Sequence, residues 1–169
     1  MIPFIESRVA DAMTYRPIVV GPRASLSEAA ALFEAHGFEL LPVAEDGCLI
    51  GVVGKVDLLR AFAFGPGETP APYDEILRRP VESVMDRAPE TVTPGTRLTA
   101  LLERMIASGR CSFPVVIRAL VVGVITRADE TRALRRSAAS ADSRPDAPRR
   151  AASARAAATG WPAGRRPAA

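Results

Sequence analysis

Gly51-Val52-Val53-Gly54-Lys55-Val56-Asp57 and Gly123-Val124-Ile125-Thr126-Arg127-Ala128-Asp129 are one heptad written twice, 72 positions apart. Each runs from a glycine through aliphatic residues to an aspartate, the form of a buried strand that turns directly into a helix. The same shift extends outward in both directions without a gap. Upstream it superimposes Val9 on Val81, Met13 on Met85, Pro17 on Pro89, Val20 on Val92, Pro22 on Pro94 and Leu26 on Leu98. It then pairs Gly37 with Gly109, Pro42 with Pro114 and Val43 with Val115, and closes with Arg60 on Arg132. The shared residues are glycines, prolines, aspartates and core aliphatics, so the chain uses one structural unit twice.

Both units read alike in outline. An apolar-edged turn of helix (9–13; 81–85) leads into an extended segment, Ile18-Val19-Val20 or Glu90-Thr91-Val92, behind a proline that favours extended backbone. An amphipathic helix follows. In the first unit Ser25 and Glu28 make a capping box, Leu26, Ala29, Ala30 and Phe33 form the apolar face, and Gly37 is the stop. In the second, Thr96 reads as the cap, Leu98, Leu101, Leu102, Met105 and Ile106 as the stripe, and Gly109 as the stop. Two short strands come next, at 40–44 and 48–53, joined at Glu45-Asp46-Gly47, where Asp-Gly signals a hairpin. Their counterparts are 113–117 and 120–125, and a last helix begins near Val56 or Ala128. A sheet this small exposes one face, so the second copy is expected to pack against the first.

The organisation expected is therefore a first repeat at 1–63, a linker at 64–79 with a short helix near Tyr73 to Arg79, a second repeat at 80–136, and a disordered basic tail at 137–169. The linker core, Gly65-Pro66-Gly67-Glu68-Thr69-Pro70-Ala71-Pro72, is rich in breakers. The tail is almost wholly Ala, Arg, Ser, Pro, Gly and Asp, with Trp161 its one large apolar side chain.

Composition narrows the function. The 169 residues carry a net charge of +3. From Arg136 onward seven arginines face Asp142 and Asp146, a surplus of +5 that leaves −2 for the rest of the chain. The basic pI therefore belongs to the tail and does not mark the folded part as a nucleic-acid binder. No apolar run reaches the length of a membrane span, and no basic stretch followed by an apolar one opens the chain. A soluble, cytoplasmic protein is expected. One histidine and two distant cysteines, Cys48 and Cys111, cannot assemble a zinc cluster; both thiols are expected free and buried or half-buried. With no Gly-x-Ser-x-Gly turn, no phosphate-cradling loop and no partnered histidine, enzyme activity is not expected.

The paired heptads, with Asp11-Ala12-Met13-Thr14 and Ser83-Val84-Met85-Asp86 upstream and the strand starts Leu41-Pro42-Val43 and Phe113-Pro114-Val115, resemble the CBS-domain family over residues 9–135. The resemblance implies an α/β (α+β) fold of two pseudo-twofold-related β-α-β-β-α repeats packed sheet to sheet. It also implies a non-catalytic regulatory module, a Bateman pair, whose clefts take an adenosine-containing ligand such as AMP, ADP, ATP or S-adenosylmethionine. Such pairs often form homodimers, and this chain is expected to signal to an unknown effector protein in trans. Carried over onto this chain, Asp57 and Asp129 become candidates for the ribose, since a carboxylate accepts from two adjacent hydroxyls. Thr126 becomes a candidate for a hydroxyl contact to ribose or phosphate, and Lys55, Arg127 and Arg110 for phosphate. The adenine positions match Ile18 and Glu90, with Phe38, Arg110, Pro42 and Pro114 nearby.

Two departures qualify the resemblance. Gly54 stands where the family carries threonine, which makes the Thr126-containing motif the better site. The positions before the strand prolines are Glu39 and Leu40, and Cys111 and Ser112, so the family's usual basic cluster is missing. An AMP-like ligand or S-adenosylmethionine is therefore favoured over ATP. Each aspartate also suits a plain helix N-terminal role. A ligand-free dimerisation scaffold, or a nucleic-acid-associated protein using the tail, remain the alternatives.

Overall fold

The computed structural model of the chain describes residues 3–63 and 71–142. Residues 64–70 of the expected linker and 143–169 of the expected tail lie outside them. The elements are β1 (Thr14–Tyr15), α1 (Leu26–His36), β2 (Leu40–Glu45), β3 (Cys48–Gly54), α2 (Lys55–Arg60), α3 (Tyr73–Arg78), α4 (Leu98–Ser108), β4 (Ser112–Ile117), β5 (Leu120–Thr126) and α5 (Arg127–Asp142). Single 3-10 turns at Phe4–Glu6, Val9–Asp11 and Val81–Ser83 precede the repeats' extended segments.

Each repeat builds an antiparallel hairpin, β2 with β3 and β4 with β5. The two hairpins meet where Cys48 pairs with Leu120, so the five strands form one sheet. At that junction the turns exchange bonds symmetrically: Leu49 N–H donates to the Ala119 carbonyl at 2.8 Å, and Val121 N–H to the Gly47 carbonyl at 3.0 Å. The first turn uses Asp46 and Gly47 in left-handed backbone (φ 51° and 79°), as the Asp-Gly signal implies. The second uses Arg118 and Ala119 in the same conformation (φ 49° and 71°), which no residue type announces. The expected first strands shrink to one-residue parallel bridges, Val20 to Val43 and Val92 to Val115.

Helix α1 starts as expected: the Glu28 N–H donates to Ser25 Oγ, the Glu28 carboxylate accepts from the Ser25 N–H at 2.7 Å, and Gly37 ends it at φ 66°. The Ser25 backbone and hydroxyl bonds hold the Glu28 carboxyl below its ordinary range. Helix α4 corrects the expectation. Its N-cap is Arg97, without a side-chain cap bond, while Thr96 Oγ1 accepts from the Thr93 N–H in the preceding turn. Leu98, Leu101 and Met105 are buried, but Ile106 is 75% exposed and leaves the stripe. Cys48 is half-buried; Cys111 is exposed rather than sheltered, and both are free thiols.

The decisive departure is that the repeats exchange their leading turns. Val9 and Met13 are buried with Val92, Leu98, Leu101, Met105, Phe113, Val115 and Ile125 of the second repeat. Val81 and Met85 are buried with Val20, Leu26, Phe33, Leu41, Val43 and Val53 of the first. The backbone repeats the exchange: Val9 N–H donates to the Thr96 carbonyl at 2.8 Å, and Val81 N–H to the Ala24 carbonyl at 2.8 Å. Strand β1 pairs with β5, and Asp86 bridges to Val52 in β3, completing the symmetry. Each exchanged Val or Met brings roughly 1.5 to 3 kcal/mol of burial into the other repeat's core.

The boundary expected at residue 137 also moves. Helix α5 runs on to Asp142, and Ser137 Oγ accepts from the Phe4 N–H at 2.9 Å, so the start of the supposed tail is helix tied to the other end of the chain.

Candidate functional site

The strand-to-helix turn after β5 is held by Asp129. Its Oδ2 accepts from the Thr126 N–H at 3.0 Å and from Thr126 Oγ1 at 2.7 Å, while the Asp129 N–H donates back to Thr126 Oγ1 at 3.2 Å. Arg132 closes the group, donating to Asp129 Oδ1 at 2.8 Å. Asp129 is buried at 6% exposure, so its carboxylate acts first as the reciprocal cap of α5. This network fixes the chemistry of Thr126. Its one proton points at Asp129 and one lone pair is taken by the Asp129 N–H, which leaves the oxygen able to accept one further bond and not to donate.

A cavity of about 530 Å³ opens beside that oxygen. Its walls come from both repeats. Ile18, Phe38, Leu40 and Pro42 of the first repeat form an apolar side, and Thr126, Arg127 and Val124 of the second face it. Arg16, Glu39 and Cys111 add its remaining reactive or charged groups. Phe38 is braced by His36, the two rings stacked at 5.0 Å. Arg127 donates to the Gly109 carbonyl at 3.2 Å, which places its guanidinium along the rim.

Of the residues singled out in the sequence, Ile18, Phe38, Pro42, Thr126 and Arg127 thus share one cavity, with Asp129 directly behind Thr126. Arg16 was missed. It sits in left-handed backbone (φ 49°) with its N–H donating to the Val122 carbonyl, a placement that depends on the exchanged segment and left no local signal.

The other five occupy the positions that the repeat shift relates to this cavity, where four of them pair with charged neighbours. Lys55 contacts Glu39 at 2.8 Å, and Arg110 reaches Asp86 at 3.5 Å and Glu90 at 3.7 Å. Arg104 adds a bond to Glu90 at 3.1 Å and lies 5.3 Å over the Phe113 ring. Asp57 accepts from the Gly54 N–H at 2.9 Å and from Arg60 at 3.0 Å, the same cap as Asp129 without the threonine hydroxyl. Pro114 is buried in β4. Among the described residues no group of three or more His, Cys, Asp or Glu could hold a metal ion. None of their helices is long and apolar enough to cross a membrane.

Two interleaved α/β repeats with a cavity at their seam define a tandem-repeat α/β module. The chain belongs to the CBS domain family, whose pattern matches residues 9–64 and 81–133. It is 30% identical over 125 residues to the CBS domain-containing protein YhcV of Bacillus subtilis, covering 73% of this chain and 82% of that protein. An uncharacterised protein of Methanocaldococcus jannaschii is 29% identical over 130 residues, 73% of this chain and 46% of that one. The A-adding tRNA nucleotidyltransferase of Aquifex aeolicus is 27% identical over 133 residues, 78% of this chain but 15% of the enzyme. The chain therefore spans less than half of these last two relatives. Among solved structures, CBSX2 in complex with AMP matches with a TM-score of 0.65 at 27% identity, covering 77% of this chain and 97% of that one. A CBS-domain containing protein of Agrobacterium tumefaciens matches with a TM-score of 0.64 at 25% identity, covering 75% and 98%. Pairs of this family are generally regulatory rather than catalytic.

Proposed function

We propose that this chain is a non-catalytic sensor that binds an AMP-like adenosine ligand in the seam cavity and passes its occupancy to a partner protein in trans. The observation that carries the reading is the cavity itself: an apolar wall of Ile18, Phe38 and Pro42 faces a hydroxyl held by a buried carboxylate. A purine ring lies against the wall by dispersion and exclusion of water. The fixed acceptor on Thr126 takes a ribose hydroxyl rather than a phosphate oxygen, since it has no proton left to donate. Arg127 and Arg16 supply cationic donors for one phosphate, and no further basic residue among the described ones lines the cavity, which supports a monophosphate over a triphosphate. The structural likeness to CBSX2, solved with AMP, points the same way. S-adenosylmethionine stays in the same proposal as the competing adenosine compound.

The ligand can act only by binding two arrangements of the repeats unequally. Because the cavity draws its walls from both repeats, occupancy favours the arrangement that holds those walls together. The exposed apolar Val56, Leu59 and Leu134, on the helices that follow the two motifs, support pairing with a second copy. Calorimetry and thermal denaturation against AMP, ATP, NAD and S-adenosylmethionine test the reading. AMP should bind and raise the melting temperature, and Thr126→Val and Ile18→Glu should each weaken binding about tenfold. No shift with any of the four compounds would leave a ligand-free scaffold.

A further inference from the structure

The two clefts related by the repeat shift are chemically opposite, although their backbones are built alike. Moving each residue of the open cavity by 72 positions gives its counterpart. Thr14 becomes Asp86, Ile18 becomes Glu90 and Phe38 becomes Arg110. Thr126 becomes Gly54 and Arg127 becomes Lys55. In the open cavity the trio Thr14, Ile18 and Phe38 forms neutral wall. In the counterpart the same three positions form an ion-pair bridge, with Arg110 lying between Asp86 at 3.5 Å and Glu90 at 3.7 Å. A second lock lies across from it, where Lys55 pairs with Glu39 at 2.8 Å.

We infer that the counterpart cleft is closed by its own charges, with the Arg110 guanidinium standing where the open cavity keeps room for the purine, so that the chain takes one ligand and not two. This rests on the function proposed above and sharpens it by assigning the stoichiometry and the residues that set it. Charge reinforces the closure. Arg16 and Arg127 against Glu39 give the open cavity a surplus of one positive charge. In the counterpart Arg110 and Arg104 balance Asp86 and Glu90, and Lys55 balances Glu39, so no surplus of positive charge remains there. A phosphate is drawn to the first and meets only cations already paired with carboxylates in the second. The counterpart also offers no hydroxyl at Gly54 for the ribose.

The test counts ligands. Calorimetric titration of the full chain with AMP should give one molecule per chain, with any second event at least about tenfold weaker. The double variant Arg110→Phe with Glu90→Ile installs the open cavity's wall and should raise the count toward two. Because a folded variant is required, its far-ultraviolet circular dichroism and melting curve are measured alongside. Titration with the apolar anionic dye 8-anilino-1-naphthalenesulfonate provides a count independent of AMP, expected to rise by one in the variant. Two AMP molecules of similar affinity on the wild-type chain would overturn the inference. So would a folded variant whose AMP and dye counts both stay unchanged. Absence of AMP binding to either protein would remove the proposed ligand, and the dye count alone would then decide whether the second cleft is closed.

Discussion

Glu130 occupies a position that the repeat shift relates to Leu58, and it is 1% exposed with neither carboxylate oxygen bonded among the described residues. Burial pushes its carboxyl up to about 7 from an ordinary value near 4.5. The folded protein then holds a proton that the unfolded chain releases above its lower value. Stability is full below about pH 4.5 and falls as pH rises toward 7, by on the order of 3 kcal/mol. Urea denaturation of Glu130→Leu should show that slope removed and a gain of similar size at pH 8, and an unchanged slope would place the titration elsewhere. At the same scale, the aspartates of the heptads were legible as special residues, but their work was not. A carboxylate three residues past a strand end suits a ribose and a helix cap equally well in sequence. Only the 2.7 Å bond from the Thr126 hydroxyl shows that Asp129 orients its neighbour, and the cavity lined by Thr126 shows that this motif has room beside it.

The heptad glycines are explained by the elements that cross them. A Cβ on Gly51 would lie 2.8 Å from the Asp86 carbonyl oxygen and 2.9 Å from Met85 Sδ. One on Gly123 would lie 2.9 Å from both the Thr14 carbonyl and Met13 Sδ. Both positions admit only glycine because the exchanged segment of the other repeat presses its backbone onto the strand. Gly51→Ala and Gly123→Ala should each cost about 1 to 3 kcal/mol by denaturant unfolding, against near neutrality at a glycine with open space around it such as Gly21. The turn between β4 and β5 carries the opposite opportunity. Ala119 holds φ 71° without being glycine, so Ala119→Gly should raise stability by about 0.5 to 1 kcal/mol in the same assay. Helices α1 and α4 and both hairpins could be read from periodicity, a capping box and stop glycines. The short β1 could not, since two exposed residues carry no period and pair only because β5 arrives beside them.

The exchange of leading turns makes the molecule one cooperative unit out of two sequence repeats. Residues 1–63 alone would lack Val81 and Met85, which complete the first core, and would leave Val9 and Met13 without a partner. That fragment should show no cooperative melt by circular dichroism. In the full chain Met13→Ala and Met85→Ala should each lower a single transition by about 2 to 5 kcal/mol, whichever repeat is probed. Independent melting of two halves would refute the interleaving. The sequence by itself determined that there are two copies of one unit, where their helices and hairpins lie, and which turns carry functional-type residues. These are properties of local spacing and of repeats written along one line. Tertiary structure alone decided which turn completes which core, that Ile18, Phe38 and Pro42 of one repeat face Thr126 of the other, and that the second cleft is bridged by Arg110. Those outcomes depend on distances between segments far apart in the chain, and a one-dimensional pattern holds no measure of that separation.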